Sequence, residues 1–93
     1  MSRIKVYSVF DRKAEEFAPP FLAQNDELAK RLVVASFSRG ESIVTQWPED
    51  FSLYFIGEFG SGNGALIPLD QSALVCSVSS ILPQRGSQNA DNS

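Results

Sequence analysis

The chain has no histidine, one cysteine and one methionine. Without histidine it lacks the commonest general base and the commonest metal ligand. The lone Cys76 excludes an internal disulfide and fits a reducing compartment, and with no histidine to join it a zinc site has too few ligands. Cys76 lies in an apolar run and reads as a buried small hydrophobe rather than a reactive thiol. Long hydrophobic runs are missing too: none approaches the ~20 residues of a membrane span. After Arg3 and Lys5, the apolar stretch to Phe10 is short and broken by Ser8, so no secretory leader is expected.

Catalytic patterns are equally scarce. A serine nucleophile would need a lysine or a terminal amine as its base, and no such pairing stands out. Gly57 to Gly64 supplies G-x-x-G-x-G-x-G, but it sits between two strand-like runs with no Lys-Ser/Thr after it. A phosphate cradle needs a helix N-terminus behind the glycines, so these glycines read as a turn. Glu15-Glu16 and Glu49-Asp50 are adjacent carboxylates, which a strand points to opposite faces. The chain is therefore expected not to be an enzyme, and to need no cofactor and no metal.

What is present describes one small globular domain. The 93 residues leave room for a single core, and 43% hydrophobic content is too rich for a disordered chain. That core is thin, so a partner or self-association would add usefully to stability. The net charge of −3 argues against a bulk cation that coats nucleic acid. Its distribution is uneven. Residues 1–39 carry seven basic against five acidic side chains, while residues 40–93 carry Arg85 against six acids.

The densest block runs from Trp47 to Leu69 and holds Trp47, Phe51, Tyr54, Phe55 and Phe59, half of the ten aromatic residues. It reads as a β-hairpin. Phe51, Leu53, Phe55 and Phe59 fall on one face at period two with Gly57 as a gap, and Ser52, Tyr54, Ile56 and Glu58 fall on the other. Gly60, Gly62, Asn63 and Gly64 form its connection, where positive φ is expected. Pro68 suggests that the second arm lies at a sheet edge.

Residues 4–11 form a first strand with apolar side chains on both faces, followed by a polar turn at residues 11–14. Pro19-Pro20 removes two ladder donors, which places residues 15–23 at an edge or in an extended approach to the next element. Asn25 starts the one clear helix, with Asp26 and Glu27 favoured by its dipole. Leu28, Leu32 and Ala35, with Ala29, Val33 and Phe37 alongside, give it one broad apolar stripe, and Gly40 suits its end. Pro48 opens a short turn. Leu74, Val75, Val78, Ile81 and Leu82 match a helical stripe, so residues 72–82 are expected to form a short amphipathic helix.

Lys5 and Tyr7 share a strand face, and Arg12 and Lys13 follow in the turn. Rings flanked by cations on a sheet are a common way to hold single-stranded nucleic acid. With Lys30 and Arg31 on the helix, these six are the candidate nucleic-acid contacts.

The residues also resemble a known family. Val6-Tyr7-Ser8-Val9-Phe10-Asp11-Arg12-Lys13-Ala14, then Pro20-Phe21, then Pro48-Glu49-Asp50-Phe51-Ser52-Leu53-Tyr54 with Gly57-Glu58-Phe59, look like the small nonstructural protein of gokushovirus-type microviruses. These are icosahedral phages with circular single-stranded DNA, whose members show a comparable Y-S-V-[YF]-D-x-K-A start and P-E-D-[YF]-x-L middle. The likeness covers residues 4–69 and departs in the serine-rich segment and polar tail beyond. It implies a nonstructural phage accessory protein of the bacterial host cytoplasm, assisting viral single-stranded DNA synthesis or binding DNA. It brings no catalytic residue with it.

The expected architecture is an α+β domain over residues 1–82. A mostly antiparallel sheet of about four strands carries one α-helix on one face, and residues 83–93 form a disordered polar tail. Single-stranded DNA or the viral or host replication proteins are the expected partners. The alternative is an adaptor that modulates a host or viral protein without touching nucleic acid, motivated by the acidic second half and the exposed strand edges.

Overall fold

The computed structural model describes residues 3–38 and 47–82. The expected helix end at Gly40, residues 41–46 and the 83–93 tail lie outside that range. The order is β1 (Arg3–Asp11), β2 (Glu16–Phe17), β3 (Phe21–Ala23), α1 (Asp26–Ser38), β4 (Phe51–Gly60) and β5 (Ala65–Ser77). Single 3-10 turns cover Pro48–Asp50 and Val78–Ser80. All pairings are antiparallel, in the order β2-β1-β4-β5, with β3 also on β1. The α+β architecture matches expectation.

Local chemistry explains the elements. Asn25 Oδ1 accepts from Leu28 N at 2.9 Å, capping α1, and Asp26 and Glu27 occupy its first turn. Asp11 Oδ1 accepts from Lys13 N and Ala14 N at 3.0 and 3.2 Å, which forms the turn after β1. Glu15, at φ 59°, closes that turn by donating its N–H to Asp11 O at 2.7 Å. In the hairpin connection Asn63 Oδ1 accepts from Ala65 N, and Gly64 alone takes a positive φ, 76°.

Two expectations are corrected. Residues 72–77 continue β5 and only Val78–Ser80 turns, so the predicted amphipathic helix does not form. An available neighbour decides it: Leu53 and Phe55 of β4 pair with Cys76 and Ala73, and the ladder outweighs a weak helical stripe. Secondly, the even alternation along β4 breaks at Ile56. Val6 pairs with Gly57 but Tyr7 with Phe55, so one step on β1 spans two on β4. This bulge moves Phe59 out of phase with Phe51, Leu53 and Phe55.

The core lies between α1 and the face bearing Tyr7, Leu53 and Phe51, joined by Ala23, Ala29, Val33 and Val78. Tyr7 is fully buried, its ring 5.9 Å from Phe21 and 5.7 Å from Phe55, and its hydroxyl donates to Asp26 at 2.6 Å. This bond ties β1 to the start of α1. Burial pushes the phenol pKa well above its ordinary value, and the bond to Asp26 and its negative charge push the same way. Below the unfolded value of about 10, Tyr7 is protonated in both states and its contribution is intact. Above it the unfolded chain releases a proton the folded chain keeps, so stability falls as pH rises. Tyr7→Phe is expected to cost about 1–3 kcal/mol and to flatten this alkaline limb in urea titrations repeated above neutral pH.

Candidate partner-binding groove

The two prolines shape an open concavity. β1 pairs through Phe10 and Asp11 with β2 and through Lys5, Val6 and Tyr7 with β3, which leaves Ser8 and Val9 between the two short strands. The intervening chain, lacking N–H groups at Pro19 and Pro20, leaves the ladder there. Ala18 closes the gap by donating its N–H to Val9 O at 2.8 Å and accepting from Ser8 Oγ at 2.7 Å. The displaced segment becomes a wall.

Opposite that wall runs α1. Its stripe does not bury as one unit: Ala29 and Val33 are buried, while Leu28 and Leu32 are 39% and 48% exposed. A single helix on a curved sheet covers one row of its side chains, and Leu32 of the second row flanks an open groove of about 620 Å³. Val9, Val33 and Phe51 are among the residues at its base, the Glu16–Phe21 segment forms one side, with the Phe17 ring turned to the opposite face beside Phe10, and Leu32 and Ser36 form the other. Among the described residues, Asp11 and Glu16 are the charged ones of the lining, and no cation contributes. Glu16 has no ion-pair partner among the described residues. The arrangement suits an apolar side chain or a short apolar segment, with negative charge at the rim.

The six residues predicted to meet nucleic acid are spread over three elements. Tyr7 and Lys5 occupy the face that α1 covers, and the buried Tyr7 ring has no surface left for a base to stack on. Lys5 Nζ lies 5.0 Å from the Phe55 ring centroid. Arg12, in the turn after β1, is paired with Asp50 at 3.0 Å, and Lys30, on α1, with Glu27 at 3.3 Å. Lys13 and Arg31 are exposed and unpaired among the described residues. The signals for the groove were in the sequence but were assigned elsewhere. A helical stripe two rows wide exceeds what one helix buries against a sheet, and the double proline marked the wall.

Cys76 is partly buried and its thiol pKa is raised, chiefly by burial. Among the described residues no cluster of acidic or cysteine side chains could hold a metal, and no helix is long and apolar enough to cross a membrane.

The family model described as phage ORF5 protein matches residues 4–81, and the chain belongs to that family. The match runs through the serine-rich segment to the end of the second 3-10 turn, further than the motif resemblance. No curated protein and no solved structure matches the chain.

Proposed function

We propose that this phage ORF5 family member is a non-catalytic accessory protein that works by holding another protein. An apolar segment of the partner, viral or host, sits in the groove between α1 and the Glu16–Phe21 wall. The carrying observation is that the groove reaches core residues Val9, Val33 and Phe51 while its Leu32 side remains half exposed. The motifs around Tyr7–Ala14 and Pro48–Leu53 support an origin among gokushovirus-type microviruses, with the host cytoplasm as the place of action. Replication proteins fit as partners for an accessory factor of a single-stranded DNA phage.

Direct binding of single-stranded DNA is the second reading, and it moves to the other sheet face. Phe10, Phe17 and Tyr54 form a ring cluster there, with centroids 4.8, 5.6 and 6.2 Å apart, and Phe17 is 46% exposed. Such rings can stack bases. It ranks second because Lys5, Arg12 and Lys30 are already engaged by the protein's own groups.

Leu32→Glu discriminates the two. The side chain is surface-exposed, so the melting temperature should stay within a few degrees of wild type. Partner recovery from infected cells should fall by at least about tenfold, since a carboxylate entering an apolar contact is left unpaired. Full partner recovery by a folded Leu32→Glu protein would sink the groove reading. Salt-sensitive binding of an oligothymidine, lost on Phe17→Ala, would favour the second.

A further inference from the structure

The sheet face turned away from α1 carries no charge at its paired positions. Cross-strand partners share a face, so the register reads out its rows. Leu66, Phe59 and Ile4 form one row, and Pro68, Gly57, Val6 and Leu22 the next. Leu74, Tyr54 and Ser8 follow, then Ser77, Ser52, Phe10 and Phe17. The helix-side face, by contrast, carries Arg3, Lys5 and Glu58 at one end and Asp11 and Glu16 at the other. An antiparallel sheet with one face on a core normally turns polar side chains to water on the second face. Here the second face is mostly apolar, with Asp70 of β5 its one charge by alternation with Pro68 and Leu74, and Leu66, Leu74, Phe17 and Leu22 stand 71, 62, 46 and 42% exposed on it.

We infer that this face binds a second copy of the chain, sheet against sheet, about a two-fold axis. The surface is close to self-complementary, because its one charge, Asp70, lies on the edge strand β5, and a two-fold along the strands between β1 and β4 sets the two copies of Asp70 at opposite edges. Four strands about 4.8 Å apart and about seven residues long at ~3.3 Å each present roughly 450 Å². Two such faces approach the ~1,000 Å² that a specific interface needs. Pro68 on β5 opposes continuation of the sheet through its edge, which favours the face over the edge as the contact. The dimer adds a second apolar layer to a core that one copy fills with few large side chains, and stability becomes dependent on protein concentration.

The test is sedimentation of the full chain at up to about 100 µM, well above a micromolar Kd. The expected species has twice the 10.2 kDa monomer mass. Leu66→Glu and Leu74→Glu should each weaken the dimer by at least about 100-fold while circular dichroism shows a folded chain. Ile67→Glu is the control. Its side chain, 37% exposed, shares the helix-side face with Glu58 and Lys5, and it should leave the dimer intact. A monomer throughout the concentration range would overturn the inference. Equal disruption by Ile67→Glu and Leu66→Glu would also overturn it, because that pattern marks the β5 edge. So would a monomer that stacks oligothymidine on Phe17 and Tyr54, since bases would then occupy the face.

Discussion

Leu53→Ala is expected to remove about 2–5 kcal/mol of stability. Leu53 is fully buried, paired with Val9 on β1 and Cys76 on β5, and belongs to the cluster containing Tyr7, Phe51, Val33 and Val78. No neighbouring strand can collapse into the space, because the ladders on both sides fix the backbone. A domain of this size has a total of roughly 5–14 kcal/mol at 0.05–0.15 per residue. The loss is therefore a large share of what holds it folded. Urea unfolding at fixed protein concentration should show the midpoint drop with little change in slope. A loss below about 1 kcal/mol would mean the site relaxes freely and that the core has been misplaced.

Gly57→Ala should be nearly as damaging, for a different reason. A Cβ at Gly57 would lie 2.7 Å from Ile67 O and 3.1 Å from Pro68 Cα, both backbone atoms of β5. Neither can swing aside as a side chain would. β5 must move away from β4 at the row where Gly57 pairs with Pro68. Overpacking of this kind costs about 1–3 kcal/mol and occasionally more. Its signature is local: amide exchange should accelerate between residues 65 and 68, while α1 keeps its protection. Uniform loss of protection, or none, would contradict the close approach.

Much of this architecture was legible from particular residues. Asn25 marked the start of α1, Pro48 the 3-10 turn, and Pro19-Pro20 the break at the sheet edge. Each acts through its own backbone or cap chemistry, which a sequence states directly. The errors arose where a distant partner decides the outcome. Residues 72–77 extend because β4 offers a ladder, which no local stripe reveals. Phe59 leaves the face of Phe51 and Leu53 because Ile56 is an extra residue opposite β1. A period-two count has no means of detecting that insertion. The same limit affected the candidate site. Lys5 and Tyr7 do share a face, as alternation requires, but it is the face α1 covers. Tyr7 is consequently a core residue bonded to Asp26, and the rings nearer solvent are exposed Phe17 and half-buried Phe10 and Tyr54 on the opposite side. Leu32 looked like core because its row adjoins the buried Ala29–Val33 row. Only the placement of the proline-bounded wall shows that it faces a groove.

The groove reading meets its most direct test in site-specific photocrosslinking. A benzophenone side chain replaces Leu32 in one protein and, as a control, Arg31 in another, and both are irradiated in phage-infected cells. The account predicts a discrete protein adduct from position 32, absent from position 31 and suppressed when Glu16→Lys is added in the same chain. Crosslinks from position 32 to DNA alone, or equal adducts from both positions, would contradict it.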